Sequence, residues 1–242
     1  MSAKSKTRKD MTAIIVAMIA AAATLVAAII GLATPLVESL AGKEATVPPD
    51  AALKSATTLG STPILLQDDF SINRGLLVWD TERSFGGVMD GVYRMGVKGP
   101  HIVTWRVYHG LDISDFALKV NILMPQSTKL FSCGVVFRKS DGGRYLFGVN
   151  NDRSYEFIKV TASGEEITMI DWVTHYAIKD HGTNQLEVTA IGDVIELSIN
   201  GEKLDTLLDD THSTGEVGFY TSTYGGGEEI IVEFDDLLVE ER

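Results

Sequence analysis

Residues 133–160 read CGVVFRKSDGGRYLFGVNNDRSYEFIKV, and this stretch decides the fold. Three short apolar runs in it are separated by two clusters of turn-forming residues, 141–143 and 150–152. Runs of this length, rich in Val, Phe, Tyr and Ile and bounded by Gly, Asn and Asp, are typical of β-strands joined by hairpins. The stretch therefore predicts three consecutive strands with tight turns between them.

The same pattern continues on both sides of this stretch. At Asn200-Gly201 the chain carries a dipeptide that favours a two-residue hairpin. No long helical pattern and no repeat period interrupts the series, so the chain from residue 64 onward is predicted to be all-β, a sandwich or jelly roll. The predicted strands are Val92–Val97, His101–Arg106, Phe116–Met124, Cys133–Lys139, Tyr145–Asn150, Tyr155–Thr161, Glu166–Trp172, Asn184–Ile191, Val194–Asn200, Gly215–Thr221 and Glu229–Val239.

The N-terminal part of the chain differs from the β-rich part in its charge and hydrophobicity. Residues 1–10 form a short basic stub, and residues 11–37 contain no charged side chain. A membrane-spanning helix needs about 20 apolar residues, so this run predicts a single N-terminal transmembrane helix. Basic residues before the run place the N-terminus in the cytoplasm and everything after it outside the cell membrane.

Two alternatives to a lone, permanent anchor stay open. The basic start also fits a signal peptide cleaved at Ser39-Leu40-Ala41, although apolar regions of about 7–15 residues in such peptides are shorter than this run. Small residues recur at four-residue spacing, as at Ala23, Ala27 and Gly31. That spacing lets helices approach closely, in a homo-oligomer or against another membrane protein.

A spacer separates the predicted membrane helix from the β-rich part. Residues 38–63 are rich in Pro, Ala, Ser and Thr, which is typical of a stalk. Residues 64–242 then form one predicted domain.

Composition excludes several classes of function. The 242-residue chain has a formal net charge of −12 and a single Cys. Nucleic-acid binding needs clustered Lys and Arg, so no nucleic-acid partner is expected. One Cys excludes an internal disulfide and a multi-Cys metal site.

The order of features from residue 64 to 242 resembles the concanavalin A-like lectin/glucanase jelly rolls, in particular bacterial domains of the 3-keto-disaccharide hydrolase or family-16-glycosidase-like type. The resemblance rests on LQDDFSINRGLLVW at 66–79, the stretch quoted above, NQLEVTAIGDVIELSINGEKL at 184–204, GEVGFYTS at 215–222 and VEFDDLLVEE at 232–241. It implies a β-sandwich, and it says much less about activity.

The resemblance implies a structural calcium ion where the first and last strands lie side by side. The candidate ligands are Asp68 and Asp69 at the start and Asp235 and Asp236 in the last strand. Ca²⁺ prefers several carboxylate and carbonyl oxygens. Adjacent residues of a regular strand point to opposite faces, so Asp235 and Asp236 are not expected to share a face.

Aromatic rings stack on the apolar faces of sugars, and nearby polar groups bind the hydroxyls. Candidate ligand-binding residues of this kind are Trp105, Arg138, Tyr145, Asn151, Asp152, Trp172, His175 and Tyr224. Core packing is the competing interpretation for each aromatic residue. For Arg138 the alternative is a buried structural cation.

Catalytic carboxylates are not evident. Glucanases that this chain resembles carry Glu-x-Asp-x-Glu on one strand, or the same motif with one extra residue. In Glu233-Phe234-Asp235-Asp236 the third acid is replaced by Leu237 or Leu238. No catalytic residue is therefore predicted.

These observations together predict a membrane-anchored, extracytoplasmic, lectin-like domain that binds carbohydrate or another cell-surface ligand without catalysis. Two alternatives remain: a glycoside hydrolase of the same fold, and a structural or assembly subunit whose sandwich packs on partner proteins.

Overall fold

A computed structural model describes residues 62–225 and 228–242, and all structural statements below concern these residues. The predicted stub, the predicted membrane helix 11–37 and all but the last two residues of the predicted stalk lie outside them. Within the described part of the chain, no helix is long and apolar enough to cross a membrane.

The described residues form fifteen strands and no helix. The strands are β1 Ile64–Asp68, β2 Trp79–Asp80, β3 Ser84–Met89, β4 Val92–Lys98, β5 Ile102–Val107, β6 Phe116–Met124, β7 Phe131–Ser140, β8 Gly143–Asn150, β9 Ser154–Thr161, β10 Glu166–Thr174, β11 Gly182–Ile191, β12 Val194–Ile199, β13 Glu202–Leu208, β14 Glu216–Thr223 and β15 Glu229–Glu241. Every predicted strand is present. The all-β prediction is therefore confirmed for the described residues.

Two antiparallel sheets build the sandwich. The nine-stranded sheet has the order β13-β12-β11-β6-β15-β4-β3-β2, with β1 paired to β15, and the six-stranded sheet has the order β10-β9-β8-β7-β14-β5. The first and last strands are neighbours, as the resemblance implied, with Asp68 opposite Leu237.

The inner faces of the two sheets form one core. In β6 buried and less buried residues alternate along the whole strand, which is the pattern of a strand with one face inward. Two groups of aromatic rings fill much of the space, with centroids 4.4–6.4 Å apart. Their members are Phe70, Tyr93, Tyr108, Phe219 and Phe234 in one group and Phe116, Phe137, Tyr145 and Phe157 in the other.

Turn chemistry joins the strands as the sequence predicts. Asn200 and Gly201 between β12 and β13 have φ of +52° and +81°, which is the left-handed geometry that a tight two-residue hairpin requires. Strands β1, β2, β3 and β13 were not predicted. In β3 two glycines weaken the strand signal, and Gly86 instead makes room for the ring of Trp79.

Candidate functional site

The six-stranded sheet has a well-packed face on the side away from the core. In β7 every residue from Phe131 to Arg138 is buried, although alternate side chains in a strand point to opposite faces. Val136, Leu146 and Tyr220 belong to a small second cluster, separate from the main core. The side of the sheet on which this second cluster lies is called the outer face below.

One line of residues crosses the outer face in register. Trp105 of β5 lies opposite Tyr220 of β14, which lies opposite Gly134 of β7. Gly134 in turn pairs with Gly148 of β8, and Gly148 with Glu156 of β9. These five residues are called the central row. They place two aromatic rings, two positions without side chains and one carboxyl group across the middle of the sheet.

The two glycines make the row possible. A Cβ atom at Gly148 would lie 1.7 Å from the hydroxyl oxygen of Tyr220, so only glycine leaves room for this hydroxyl. A Cβ atom at Gly134 would lie 2.0 Å from the carbonyl oxygen of Phe147. The Tyr220 hydroxyl is buried and has no hydrogen-bond partner among the described residues. Such an orphaned polar atom is rare in folded proteins and marks a position where a ligand could supply the partner.

Glu156 sits at the other end of the row in a network of hydroxyl groups. Only 6% of this residue is exposed. The Tyr224 hydroxyl lies 3.3 Å from Glu156 Oε1, to which it donates, and 3.2 Å from the Ser132 hydroxyl. Ser132 is also 2.7 Å from the hydroxyl of Ser222. The face therefore offers several groups that exchange hydrogen bonds.

Burial controls the protonation of this carboxyl group. Loss of water raises the pKa of Glu156 to about 7, and the charges of Glu166 and Asp171 on β10 act in the same direction. The hydrogen bond that the Tyr224 hydroxyl donates to Glu156 opposes the shift. Near neutral pH this group is therefore present in both the protonated and the charged form.

A consequence of this shift is a measurable pH dependence of stability. The pKa of Glu156 is about 7 in the folded state and 4.5 ordinarily. Between pH 4.5 and about 7 the folded chain therefore holds a proton that the unfolded chain has lost. The stabilisation from this group is thus complete at low pH and is lost as pH rises through about 7. Glu156→Gln imitates the neutral acid, so we expect it to match the wild type at pH 4 and to exceed its free energy of unfolding by about 2 kcal/mol at pH 8.

Urea unfolding at a series of pH values measures this difference. The exposed Glu165→Gln variant is the control and should follow the wild type throughout. Parallel curves for Glu156→Gln and the wild type would show that the buried carboxyl group does not titrate in this range.

Three of the predicted ligand-binding residues lie in the central row or next to it. Trp105 is a member of the row and is half-buried. The ring of Trp172 on β10 meets the ring of Tyr224 edge to face, with centroids 5.8 Å apart. A break in the pairing of β10 with β9 between Ile170 and Val173 accommodates Trp172.

Two predicted ligand-binding residues lie inside the sandwich, which corrects their assignment. Arg138 has φ of +47° at a bulge between β7 and β8, and this turns its side chain inward. The fully buried guanidinium donates to the carbonyl oxygens of Ser114, Gly192 and His212 at 2.9–3.2 Å. It is the buried structural cation that the sequence left as an alternative.

Tyr145 is the second of these. It is fully buried among aromatic rings, and its hydroxyl donates to Asp209. The same carboxylate accepts from Lys159 at 2.6 Å. This group holds the loop between β13 and β14 against β8 and β9.

Three further predicted residues lie in loops next to the sheet. Asn151 donates to the carbonyl oxygens of Ser127 and Lys129 and so fixes the loop before β7. Asp152 accepts from the hydroxyl of Ser154 in the turn between β8 and β9. His175 follows β10, and its ring lies 4.5 Å from that of the exposed Tyr176. These residues order turns rather than extend the central row.

The predicted calcium ligands lie where β1 pairs with β15, but the first two have other partners. Asp68 is buried and accepts from the backbone N–H of Phe70 and from the hydroxyl of Tyr108. Asp69 is exposed and accepts from Ser71. Both carboxylates thus support local turns and packing.

The last strand departs from regular alternation at the other two aspartates. Asp235 and Asp236 lie together between the buried Phe234 and Leu237, because a bulge with φ of +52° at Asp236 interrupts the strand. The expectation that they point to opposite faces is therefore wrong. Across residues 62–225 and 228–242, no three His, Cys, Asp or Glu side chains are grouped closely enough to hold a metal ion. The calcium site therefore stays a prediction from the resemblance.

The sequence did not predict Glu156 and Tyr220 as site residues. A pairing of Gly134 with Gly148 would have pointed to them, because two facing glycines leave a gap that a neighbouring ring can fill. That pairing depends on the bulge between Phe137 and Ser140, which the sequence pattern does not reveal.

The chain matches no protein-family model, and no curated protein matches it. Solved structures nevertheless share its fold. Carbohydrate-binding module CBM66 from Bacillus subtilis superposes with a TM-score of 0.56 at 15% identity, covering 69% of this chain and 97% of the module.

Glucanases show the same likeness. The β-glucanase of Bacillus licheniformis gives a TM-score of 0.56 at 10% identity over 74% of this chain and 99% of the enzyme. A LamA variant from Z. galactanivorans was solved in complex with laminaritriose and laminaritetraose. It gives a TM-score of 0.52 at 9% identity over 74% of this chain and 99% of the LamA chain. At these identities the comparison shows the fold alone, a concanavalin A-like jelly roll.

Proposed function

We propose that this jelly-roll domain binds carbohydrate on the outer face of its six-stranded sheet and does not cleave it. The central row and its neighbours carry the proposal. Trp105 and Tyr220 lie toward one end of the face, Trp172 with Tyr224 toward the other, and the Glu156 carboxyl group between them.

This set of groups matches the chemistry of a saccharide. A sugar ring presents an apolar C–H surface that packs on an aromatic ring, and its hydroxyl groups donate and accept hydrogen bonds. Trp105 and Trp172 are half-buried, so each keeps ring surface for a ligand. Glu156, the orphaned Tyr220 hydroxyl and the Ser132–Ser222 pair supply hydrogen-bonding partners. The shared fold with a carbohydrate-binding module and with glucanases supports this ligand class by analogy.

The distribution of acids supports binding without cleavage. Two carboxyl groups about 5–5.5 Å apart are needed in a retaining glycosidase, and about 6.5–9.5 Å apart in an inverting one. The Glu-x-Asp-x-Glu motif is absent from the sequence. The central row holds one acid, and the residue facing it on β8 is Gly148.

One observation favours the second candidate, a hydrolase. A carboxyl group with a pKa raised to about 7 by burial, beside Glu166 and Asp171, has the protonation behaviour of a general acid. In this alternative Glu156 would donate the proton to the leaving oxygen. Release of reducing sugar from a polysaccharide panel, lost in Glu156→Gln, would favour the hydrolase over the binding module.

The proposal includes display outside the cell membrane. Its support is the uncharged run 11–37 after a basic stub, which would anchor the chain in the bilayer with residues 64–242 outside. Protease added to intact cells should then remove the domain, and protection of the domain would contradict this topology.

A glycan array probed with the detergent-solubilised full chain tests the ligand class. We expect saturable binding to a subset of glycans, and Trp172→Ala should weaken it about 30-fold, or by about 2 kcal/mol, because truncating a stacking ring removes a central contact. Titration of one bound glycan into the wild type and the variant gives the two dissociation constants.

Tyr176→Ala is the matched control, since this ring is exposed and belongs to the loop after β10 rather than to a strand of the sheet. It should leave the dissociation constant unchanged. Absence of binding to every glycan on the array would contradict carbohydrate binding. Absence of glycan binding together with stable co-purification of membrane proteins would favour a structural or assembly subunit.

A further inference from the structure

Two cationic side chains gather around Trp105 on the outer face. The guanidinium carbon of Arg144 lies 4.9 Å from the centre of the Trp105 ring, and Lys139 Nζ lies 5.8 Å from it. Both distances are within the range of a cation–π contact. One end of the face thus combines an aromatic surface with two positive charges.

Neither cation has an anionic partner among the described residues. Lys139 Nζ donates to the carbonyl oxygen of Ser140 at 2.7 Å, and no carboxylate of the described residues lies within 4.0 Å of Lys139 or Arg144. Arg144 Nε is buried with no hydrogen-bond partner in this part of the chain. A buried guanidinium N–H without an acceptor is costly, so an incoming acceptor would be bound favourably there.

Acidic side chains are abundant in this chain, with 33 acidic residues against 21 basic ones, yet within the described residues none of them pairs with either cation. Glu216 lies opposite Lys139 in the strand register, but its carboxylate accepts from the backbone N–H of Gly110 at 3.0 Å instead. Glu166 acts on Arg144 only through longer-range attraction, and burial lowers the pKa of this arginine. The two cations therefore face the surface beside Trp105 without neutralisation.

We propose that Trp105, Arg144 and Lys139 form an anion subsite and that the ligand of the outer face is an acidic saccharide. This inference rests on the proposed function of the same face. A sugar ring would pack on Trp105, and its carboxylate or sulfate group would accept from the fork of Arg144 and from Lys139. Glu156, Glu166 and Asp171 cluster toward β9 and β10 and would repel an anion there. The charges of the face therefore direct the anionic group to the β5 end.

Titration calorimetry with the detergent-solubilised full chain tests the inference at low and at physiological salt. The probes are a neutral oligosaccharide (laminaritetraose), an oligogalacturonate, which carries carboxylates, and a chondroitin sulfate oligosaccharide, which also carries sulfate. We expect at least one acidic probe to bind 10-fold or more tightly than the neutral one, with affinity falling as salt rises. A preference between the two acidic probes identifies the anionic group.

Variants assign the effect to the subsite. Arg144→Gln should lose 10-fold or more of the affinity for the acidic probe and change binding of the neutral probe less than 2-fold. Lys139→Gln, at a half-buried residue, is the second variant should Arg144→Gln fail to fold. Lys203→Gln, at an exposed lysine on β13 of the other sheet, removes the same charge elsewhere and should change nothing.

The possible failures are distinguishable. The anion subsite alone is overturned if the neutral probe binds and no acidic probe binds more tightly. It is also overturned if the neutral probe binds and both Arg144→Gln and Lys139→Gln keep the wild-type affinity for the acidic probe. No binding of any saccharide overturns both the subsite and carbohydrate binding.

Discussion

Replacing Arg138 by methionine should lower the free energy of unfolding by about 3–5 kcal/mol, the range seen when one partner of a buried charged network is removed. The guanidinium is fully buried and donates to carbonyl oxygens of three separate loops, at Ser114, Gly192 and His212. Methionine fills a similar volume but leaves these acceptors without donors. For a domain of this size the melting temperature should fall by roughly 10 °C.

Chemical unfolding monitored by tryptophan fluorescence measures this change. Arg83→Met is the matched control, because Arg83 is exposed, and it should stay within about 0.5 kcal/mol of the wild type. Arg138→Lys keeps the charge but not the planar fork, so its loss should be intermediate. An Arg138→Met variant as stable as the wild type would mean that the three carbonyl oxygens find other donors.

Gly134→Ala should be the second strongly destabilising change, by about 3 kcal/mol, at the upper end of typical overpacking costs. The added Cβ atom would lie 2.0 Å from the carbonyl oxygen of Phe147, an atom of the neighbouring strand's backbone. Backbone in the middle of a sheet cannot rotate away as a side chain can. The pairing of β7 with β8 would have to open at this point.

Two other glycine variants calibrate this result. Gly142→Ala adds a methyl group 3.4 Å from the Ser140 hydroxyl in an exposed turn, without positive φ, and should be neutral or slightly stabilising. Gly148→Ala meets chiefly the end of the Tyr220 side chain, with the backbone oxygen of Cys133 farther away at 3.3 Å, so we expect a smaller loss of stability but weaker ligand binding. Equal stability of Gly134→Ala and Gly142→Ala would contradict the close approach of β7 and β8.

The agreement between sequence and structure is uneven for a physical reason. Strand positions follow from local patterns of apolar and turn residues, and β6 was predicted with its observed bounds, Phe116–Met124. Deviations from regular strands depend on non-local pairing. The bulge at Asp236 places two aspartates on one side of β15. The bulge at Arg138 directs this side chain, a predicted ligand contact, toward the core.

The candidate site divides in the same way. Trp105, Trp172 and Tyr224 were predicted from their residue types, since aromatic side chains suit a sugar surface wherever they are exposed. The roles of Glu156 and Tyr220 followed only from the register of five neighbouring strands.

By itself the sequence determined that the described residues from 64 onward are all-β, because strand period and turn chemistry are local properties of the chain. It also predicts the membrane helix at 11–37, from the length of an uncharged apolar run. Only the tertiary structure decided which polar residues share a surface. Residues distant in sequence, such as Trp105, Arg144 and Glu156, meet on one face because sheet register fixes their neighbours, and register is set by long-range pairing and bulges.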